Sequence, residues 1–355
     1  MLHLTFLGTS AGVPTKKRNV TALAIECLNP FGSAGNPAGK KNKPWVLVDC
    51  GEATQHQLLQ TKISSHQLAV ICITHVHGDH CYGLPGLLAS MAMSGRKDSL
   101  TIIAPQAIKQ FIEAVKATTE LYFPFEIEFI SIESLLESRQ ESQSSTVSVK
   151  LSTTHQLDIE IIKLSHRVES YAFKITQTVQ TIKLDTEKLK AEGIEPTAAW
   201  GRLQAGEDVT LPDGSQLKSL SYTQRVAQVL KVIVAGDNDN PQLLNEAAKD
   251  VDLLVHEATY TQAVLDKIMT REDAFDPMHT PAMRIASFAQ SAKLNNLILT
   301  HFSARYQPYD DPESKTPNMA DIRLEVEQYY DGNLWLARDF MRFEVSHKAV
   351  RQLPN

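Results

Sequence analysis

The 355-residue chain is 43% hydrophobic, enough for a substantial buried core, and its formal net charge of −6 excludes a surface coated in phosphate-binding residues, so any polyanion has to meet local positive patches. No stretch approaches the ~18 apolar residues needed to span a bilayer, and the N-terminal "MLHLTFLGTSAG" lacks the basic and apolar regions of an export signal, which points to a soluble, cytoplasmic protein with no membrane partner. Four cysteines (Cys27, Cys50, Cys72, Cys81) form no CxxC pair and read as buried or incidental thiols.

In chain order, short apolar, β-branched runs broken by turns predict strands at "LHLTFLG", "NVTALAIEC", "PWVLVDCG", "LAVICITH", "LTIIAP", "IEFISI", "IEIIKLSH", "YAFKI", "KVIVAGD", "VDLLVHEAT" and "NLILTHFS". Helical patterns lie between them at "CYGLPGLLASMAMSG", "PQAIKQFIEAVKATTELY", "PQLLNEAAKD" and "TPAMRIASFAQSAKL". Strands outnumber helices early, so the α/β class here is not a doubly wound sheet; two sheets packed face to face with helices outside fit better. Three segments read as additions. Residues 28–44 form a Gly/Pro/Asn-rich loop, residues 138–148 a polar connector with little to bury, and residues 184–214 a projecting arm with a short helix, a Gly/Pro turn and then "GEDVTLPDG" as strand and turn. Positive patches stand at 16–18 ("KKR") and 40–43 ("KKNK").

The densest chemistry is "ITHVHGDHCYG" at 73–83. His75 and His77 are two apart, so on an extended segment both imidazoles point the same way; Gly78 permits a sharp turn, after which Asp79 and His80 can face back. Imidazole and carboxylate suit Zn²⁺, or Mn²⁺ or Fe²⁺, and four ligands are too many for one open tetrahedral ion, so the cluster implies two ions each short of ligands. Strand ends are rigid places from which to aim the missing ones. His166, Asp237, His256 and His301 each follow a strand-like run. Asp237 is the natural shared carboxylate; His75, His77 and His166 then hold one ion, and Asp79, His80 and His301 the other.

These motifs resemble the metallo-β-lactamase superfamily and, in finer detail, the tRNase Z (ribonuclease Z) family. "LGTSAGVPTKKRN" is similar to that family's N-terminal signature with its PxKxRN loop (Pro14, Lys16, Arg18, Asn19), and "HVHGDHCYGLPGLL" to its metal motif and following helix. "GDND" at 236–239 stands where the family has GDT, "HEAT" at 256–259 resembles its acid/base loop, "HFSARY" at 301–306 its last ligand, and His279 in "MHTP" falls where it carries HST. The resemblance implies a four-layer αββα metallo-β-lactamase sandwich with a projecting RNA-binding arm, all in a single domain. It implies an endonuclease removing the 3′ trailer of precursor tRNA, with two Zn²⁺ per subunit and a homodimeric assembly.

It also implies roles. A hydroxide held between two ions attacks phosphorus in line, His279 protonates the departing 3′-oxygen with Glu257 tuning it, and Asp79 accepts a proton while serving as ligand; His256 belongs to the same acid/base loop. Ser303 and Arg305 fix a phosphate, and Pro14, Lys16, Arg18 and Asn19 sense the tRNA 3′ end. Departures are local: Ala198 and Ala199 replace a central Gly-Pro in the arm, Trp200 beside them can stack on a nucleotide or pack on the arm's own helix, and Asn238 replaces the Thr of GDT. The competing readings are a small-phosphodiester or aryl-sulfate hydrolase on the same scaffold and an RNA-binding protein that has lost catalysis. The second expects missing ligands.

Overall fold

A computed structural model describes residues 1–30, 43–137, 145–272, 274–347 and 349–354. The expected loop at 28–44 and the "KKNK" patch fall largely outside these residues, as does most of the expected polar connector.

Strand alternation explains the layers. In the strand Trp45–Val48, Val46 and Val48 point to one side and Trp45 and Leu47 to the other; in Thr223–Ala235, Val232 and Val234 oppose Ile233. Every residue of Trp45–Val48 is buried, so its sheet must be covered on both faces. The central cluster joins Val46, Val48, Val70 and Ile103 of one sheet to Ile159, Phe173, Val232 and Val255 of the other. Two further clusters lie outside: Trp45, Leu47 and Ile71 pack against the helices Leu84–Met93 and Gln106–Thr119, while Ile233, Leu254 and Leu297 pack against Ala282–Ser291 and Met319–Glu327. The result is the expected helix–sheet–sheet–helix sandwich.

The first sheet runs Ala349–Leu353, Arg342–Ser346, Leu2–Gly8, Ala22–Cys27, Trp45–Val48, Leu68–Cys72, Leu100–Ala104, Ile127–Ser131. The second runs Asn333–Leu336, Asn296–Thr300, Leu253–Glu257, Thr223–Ala235, Tyr171–Leu184, His155–Lys163, Thr146–Ser152. Each of the eleven predicted runs contains a strand. The C-terminal pair Arg342–Ser346 and Ala349–Leu353 was not predicted, and Thr146–Ser152 corrects the polar connector: beyond residue 144 the chain is an edge strand with Val147 buried. An edge strand needs only one buried face, so its apolar signal is faint.

Topology, not length, positions the site. In the second sheet Thr223–Ala235, Leu253–Glu257 and Asn296–Thr300 are mutually parallel, and His155–Lys163 runs with them because two antiparallel pairings separate it from Thr223–Ala235. Their C-terminal ends therefore share one edge, where open α/β sheets bind ligands.

The strands Tyr171–Leu184 and Thr223–Ala235 stay paired from Ala172–Ala235 to Leu184–Thr223, past Val179, where the neighbouring strand's pairing ends at His155. Between them, residues 185–222 fold on their own apolar cluster of Leu189, Leu203, Val209, Leu217 and Tyr222, extending eight residues beyond the expected 214. Trp200 packs partly buried against that cluster, its indole nitrogen turned inward with no acceptor among the described residues.

Because this small cluster is separate from the sandwich core, replacing residues 185–222 by a two-residue Asn-Gly turn should leave a cooperative thermal melt followed by circular dichroism. Truncating Phe173, fully buried between the sheets, should instead cost about 3–5 kcal/mol in urea unfolding.

Candidate metal centre

After the strand Leu68–Cys72 the chain bends at Val76 and enters the short helix Gly78–Cys81 with His77 at its N-cap. The ring of Tyr82 lies over Gly78, its Cε2 2.2 Å from where a Cβ would stand. His75 Nε2 and His77 Nδ1 come within 3.1 Å of each other, and His166 Nε2, from the end of His155–Lys163, lies 3.3 Å from the same His77 nitrogen. Asp237 Oδ2 is 3.6 Å from His75 Nε2 and 3.7 Å from His166 Nε2. Its other oxygen, Oδ1, is 3.4 Å from His80 Nε2 and 3.3 Å from His301 Nε2. Asp79 Oδ2 completes that second group, 3.4 Å from His80 Nε2 and 3.3 Å from His301 Nε2.

These spacings can be tested against a cation. Donor atoms about 2.0–2.1 Å from a shared tetrahedral ion lie about 3.3–3.4 Å from one another. The separations in both groups match, and imidazole nitrogens that face each other at 3.1–3.3 Å need something positive between them. The two groups, His75–His77–His166–Asp237 and Asp79–His80–His301, can each hold a metal ion. His279 also comes near Asp237 and His301, but its Nδ1 sits 3.0 Å from Glu257 Oε2 and 3.7 Å from Asp237, so Glu257 is its closer partner.

A second set of bonds aims the ligands. His80 Nδ1 donates to Asp49 Oδ2 at 2.7 Å and His166 Nδ1 to the Met278 carbonyl at 2.8 Å, leaving each Nε2 lone pair toward the centre. Thr259 Oγ1 lies 3.1 Å from His301 Nδ1 and donates a short hydrogen bond to Glu257. His301 and Asp49 both hold the left-handed backbone conformation, φ 57° and 59°, strain of the kind that concentrates at functional sites. Gly236 has no room for a side chain: a Cβ would meet Thr74 Cβ at 2.6 Å.

Charge follows the same logic. Burial, helped by neighbouring imidazoles, lowers the pKa of His75, His77 and His166, which keeps them neutral and able to ligate. Burial also opposes charge on His80, but Asp237, Asp79 and Asp49 outweigh it and raise its pKa well above the usual value. Asp237 is buried, which works against its ionisation, yet His301, His80, His279 and His75 hold it well below the carboxylate range. For His279 burial is again overcome, by Glu257 and then Asp237, and its pKa rises to about 9.

The expected ligands thus converge, together with His279 and Glu257. His256 does not join them: it is fully buried, donating Nδ1–H to the Glu257 carbonyl at 2.8 Å and accepting from Asn238 Nδ2 at 3.1 Å, so it has no free atom for a reacting group. Arg18 also departs from expectation. It is 4% exposed, and its guanidinium donates to the Tyr306 carbonyl at 2.7 Å, fastening its loop to the 303–306 turn rather than facing RNA. Asn19 likewise serves the loop, its amide donating to the Glu52 carbonyl and its backbone N–H to Asp339. Pro14 and Lys16 are exposed, Pro14 on the wall of the cleft over the centre; Arg305 is exposed with Nε 3.2 Å from the Ser303 hydroxyl. Asp49, Thr74 and Thr259 were missed. Asp49 ends "WVLVD" and obeys the strand-end rule used for the ligands.

Comparison with known proteins places this geometry. A family model described as "Anti-Pycsar protein Apyc1" matches residues 37–192, less than half of the chain. Solved structures share the fold: human tRNase Z, short form, superposes with a TM-score of 0.58 at 21% identity, covering 97% of this chain and 99% of that one, and the metallo-β-lactamase fold protein YhfI of Bacillus subtilis with 0.57 at 16%, covering 96% and 98%. Ribonuclease Z of Marinobacter nauticus is 43% identical over 97% of this chain and 96% of its own, that of Pseudomonas putida W619 is 44% identical over the same shares, and that of Bacillus subtilis is 35% identical over 86% and 90%. At that identity over nearly the full length of both partners, the chain belongs to the ribonuclease Z family.

Proposed function

We propose that this protein is an endoribonuclease that removes the 3′ trailer from precursor tRNA, using two Zn²⁺ ions per chain held by His75, His77 and His166 on one side, Asp79, His80 and His301 on the other, and Asp237 between. The observation that carries the reading is the division of Asp237: one oxygen faces each histidine group. The all-nitrogen-and-oxygen donor set suits Zn²⁺, with Mn²⁺ or Fe²⁺ as alternatives. Bound there, divalent cations supply Lewis acidity that makes water a nucleophile at neutral pH and offsets charge on the phosphate under attack.

The chain's own residues do the rest. Asp79 Oδ2 accepts the Gly12 N–H at 2.7 Å, which fixes it at the cleft as ligand and proton acceptor. His279 is held protonated against Glu257 and donates its proton to the departing 3′-oxygen, leaving a tRNA 3′-hydroxyl and a trailer 5′-phosphate. Glu257 is itself fixed by the Asn238 backbone N–H at 2.7 Å and by Thr259. Ser303 and Arg305 bind a backbone phosphate, Pro14 and Lys16 meet the tRNA 3′ end, and Arg18 and Asn19 hold the loop that presents them. The arm reaches for the body of the tRNA. No helix among the described residues is long and apolar enough to cross a membrane, and the four cysteines are buried free thiols, which suits the cytoplasm.

We assign the contact of a homodimer to the ends of the packed helices Thr54–Leu59 and Leu84–Met93, where Leu59 and Met93 stand 83% and 90% exposed. Sedimentation of the double variant Leu59→Asp, Met93→Asp should show a monomer where the parent is a dimer; a parent that is already monomeric rejects the assembly.

The decisive assay offers precursor tRNA and a chromogenic phosphodiester to the zinc-loaded protein. Cleavage at the tRNA 3′ boundary is expected; turnover of the small diester alone would favour the hydrolase reading. Asp237→Ala should lose at least a thousandfold in kcat and bind fewer than two metal ions per chain by mass spectrometry. In contrast, His279→Ala should lose about 10²–10⁴-fold in kcat with metal content intact, and loss of metal in that variant would move His279 into the ligand set.

A further inference from the structure

The cleft over the metal centre has a volume of about 440 Å³, room for a nucleotide-sized group. Its described lining includes the carboxylates of Glu52, Asp79 and Asp237, and among the described lining residues Arg167 is the one arginine or lysine. Ser303 and Arg305 do not line it. A polyanion entering here therefore meets one guanidinium besides the Glu257-paired imidazolium of His279 and whatever charge bound cations bring. Arg167 follows the ligand His166 directly. Its side chain is exposed, no carboxylate among the described residues pairs with it, and its guanidinium carbon lies 5.2 Å from the centre of the Phe275 ring. This cation–π contact restrains the guanidinium while its N–H groups, with no described carboxylate partner, can still meet a phosphate.

The same cleft has one benzenoid ring on its described wall, Tyr82. It lies against Gly78 inside the metal motif, with its Cε2, Cζ and Cδ2 filling the space a side chain would need, and Phe111 stands 6.3 Å from it at a tilt of 45°. Yet Tyr82 is 65% exposed and Phe275 is 62% exposed. Lying next to Gly78 and Phe111 yet largely exposed, the tyrosine ring can serve as a platform for stacking beside the reacting phosphate.

We infer that Tyr82 and Arg167 form a nucleotide subsite next to the metal centre: Tyr82 stacks on a base flanking the scissile bond, Arg167 binds the neighbouring backbone phosphate, and Phe275 is a positioning residue for Arg167. This rests on the ribonuclease reading above and names the substrate contacts that select RNA over a small diester.

The test compares kcat/KM for precursor tRNA and for bis-(p-nitrophenyl) phosphate, which has no flanking nucleotide, using zinc-loaded full-length protein of verified metal content. Arg167→Gln should lower the ratio of the two at least tenfold and flatten the slope of log KM for precursor tRNA against log salt by about 0.7, the contribution of one single-stranded phosphate contact. Tyr82→Ala should lower the ratio about 5- to 150-fold, the range of one lost base stack, while Tyr82→Phe retains it. Phe275→Ala should fall between the parent and Arg167→Gln. An unchanged ratio in both Arg167→Gln and Tyr82→Ala overturns the subsite, and so does an equal loss on both substrates, which would mean a disturbed metal centre. Failure of the unsubstituted protein to cut precursor tRNA would instead remove the ribonuclease reading itself.

Discussion

Asp237 is a carboxylate buried to 2% exposure between two groups of imidazoles, and the active edge of the molecule is arranged around keeping it charged. An isolated buried carboxylate is too costly to ionise and would take up a proton. Here His80, His301, His75 and His166 each bring a ring nitrogen within 3.3–3.7 Å of one of its oxygens. Without cations some of those imidazoles must carry charge, and His80, with Asp49 behind it, is the one the surroundings favour. Cations placed between nitrogen and oxygen relieve that requirement and let the histidines act as neutral ligands. The same arrangement that makes the carboxylate tolerable makes the site select metal.

Holding seven donor residues to within tenths of an ångström needs a frame that does not yield. The central apolar cluster locks the two sheets together, and parallel pairing brings His166, Asp237 and His301 to one edge although they are far apart in the chain. Small residues then let the segments approach. Gly236 lies against Thr74, so a single added methyl group there would push apart two segments that carry candidate ligands.

Much of this was legible from residue order. Strand runs buried on both faces have unmistakable composition, and the candidate ligands His166, Asp237 and His301, which the fold brings together, each stand just after such a run. What could not be read was direction. Arg18 looks like a phosphate contact in a basic triplet, yet it turns inward because the carbonyl of Tyr306 and the ring of Phe302 are there to receive it. His256 reads as following a strand run but lies within the strand Leu253–Glu257; the next residue, Glu257, faces the centre, and alternation turns His256 the other way. Asp49 follows a strand run as the candidate ligands do, but only folding sets it behind His80. The edge strand Thr146–Ser152 overlaps the end of the expected connector at 138–148, because a strand with one apolar face leaves a weak pattern.

The charge balance bears on how RNA can be held. With a net charge of −6 the surface does not attract RNA in general. In the arm Arg202 is paired with Glu207 and Lys190 with Glu187, while Lys16, Arg167 and Arg305 stand exposed on the loops around the metal edge. Such an arrangement gives up non-specific affinity, which rises with every neutralised phosphate. If the arm takes the body of the tRNA as proposed, the paired strands Tyr171–Leu184 and Thr223–Ala235 set the distance between that contact and the metal edge.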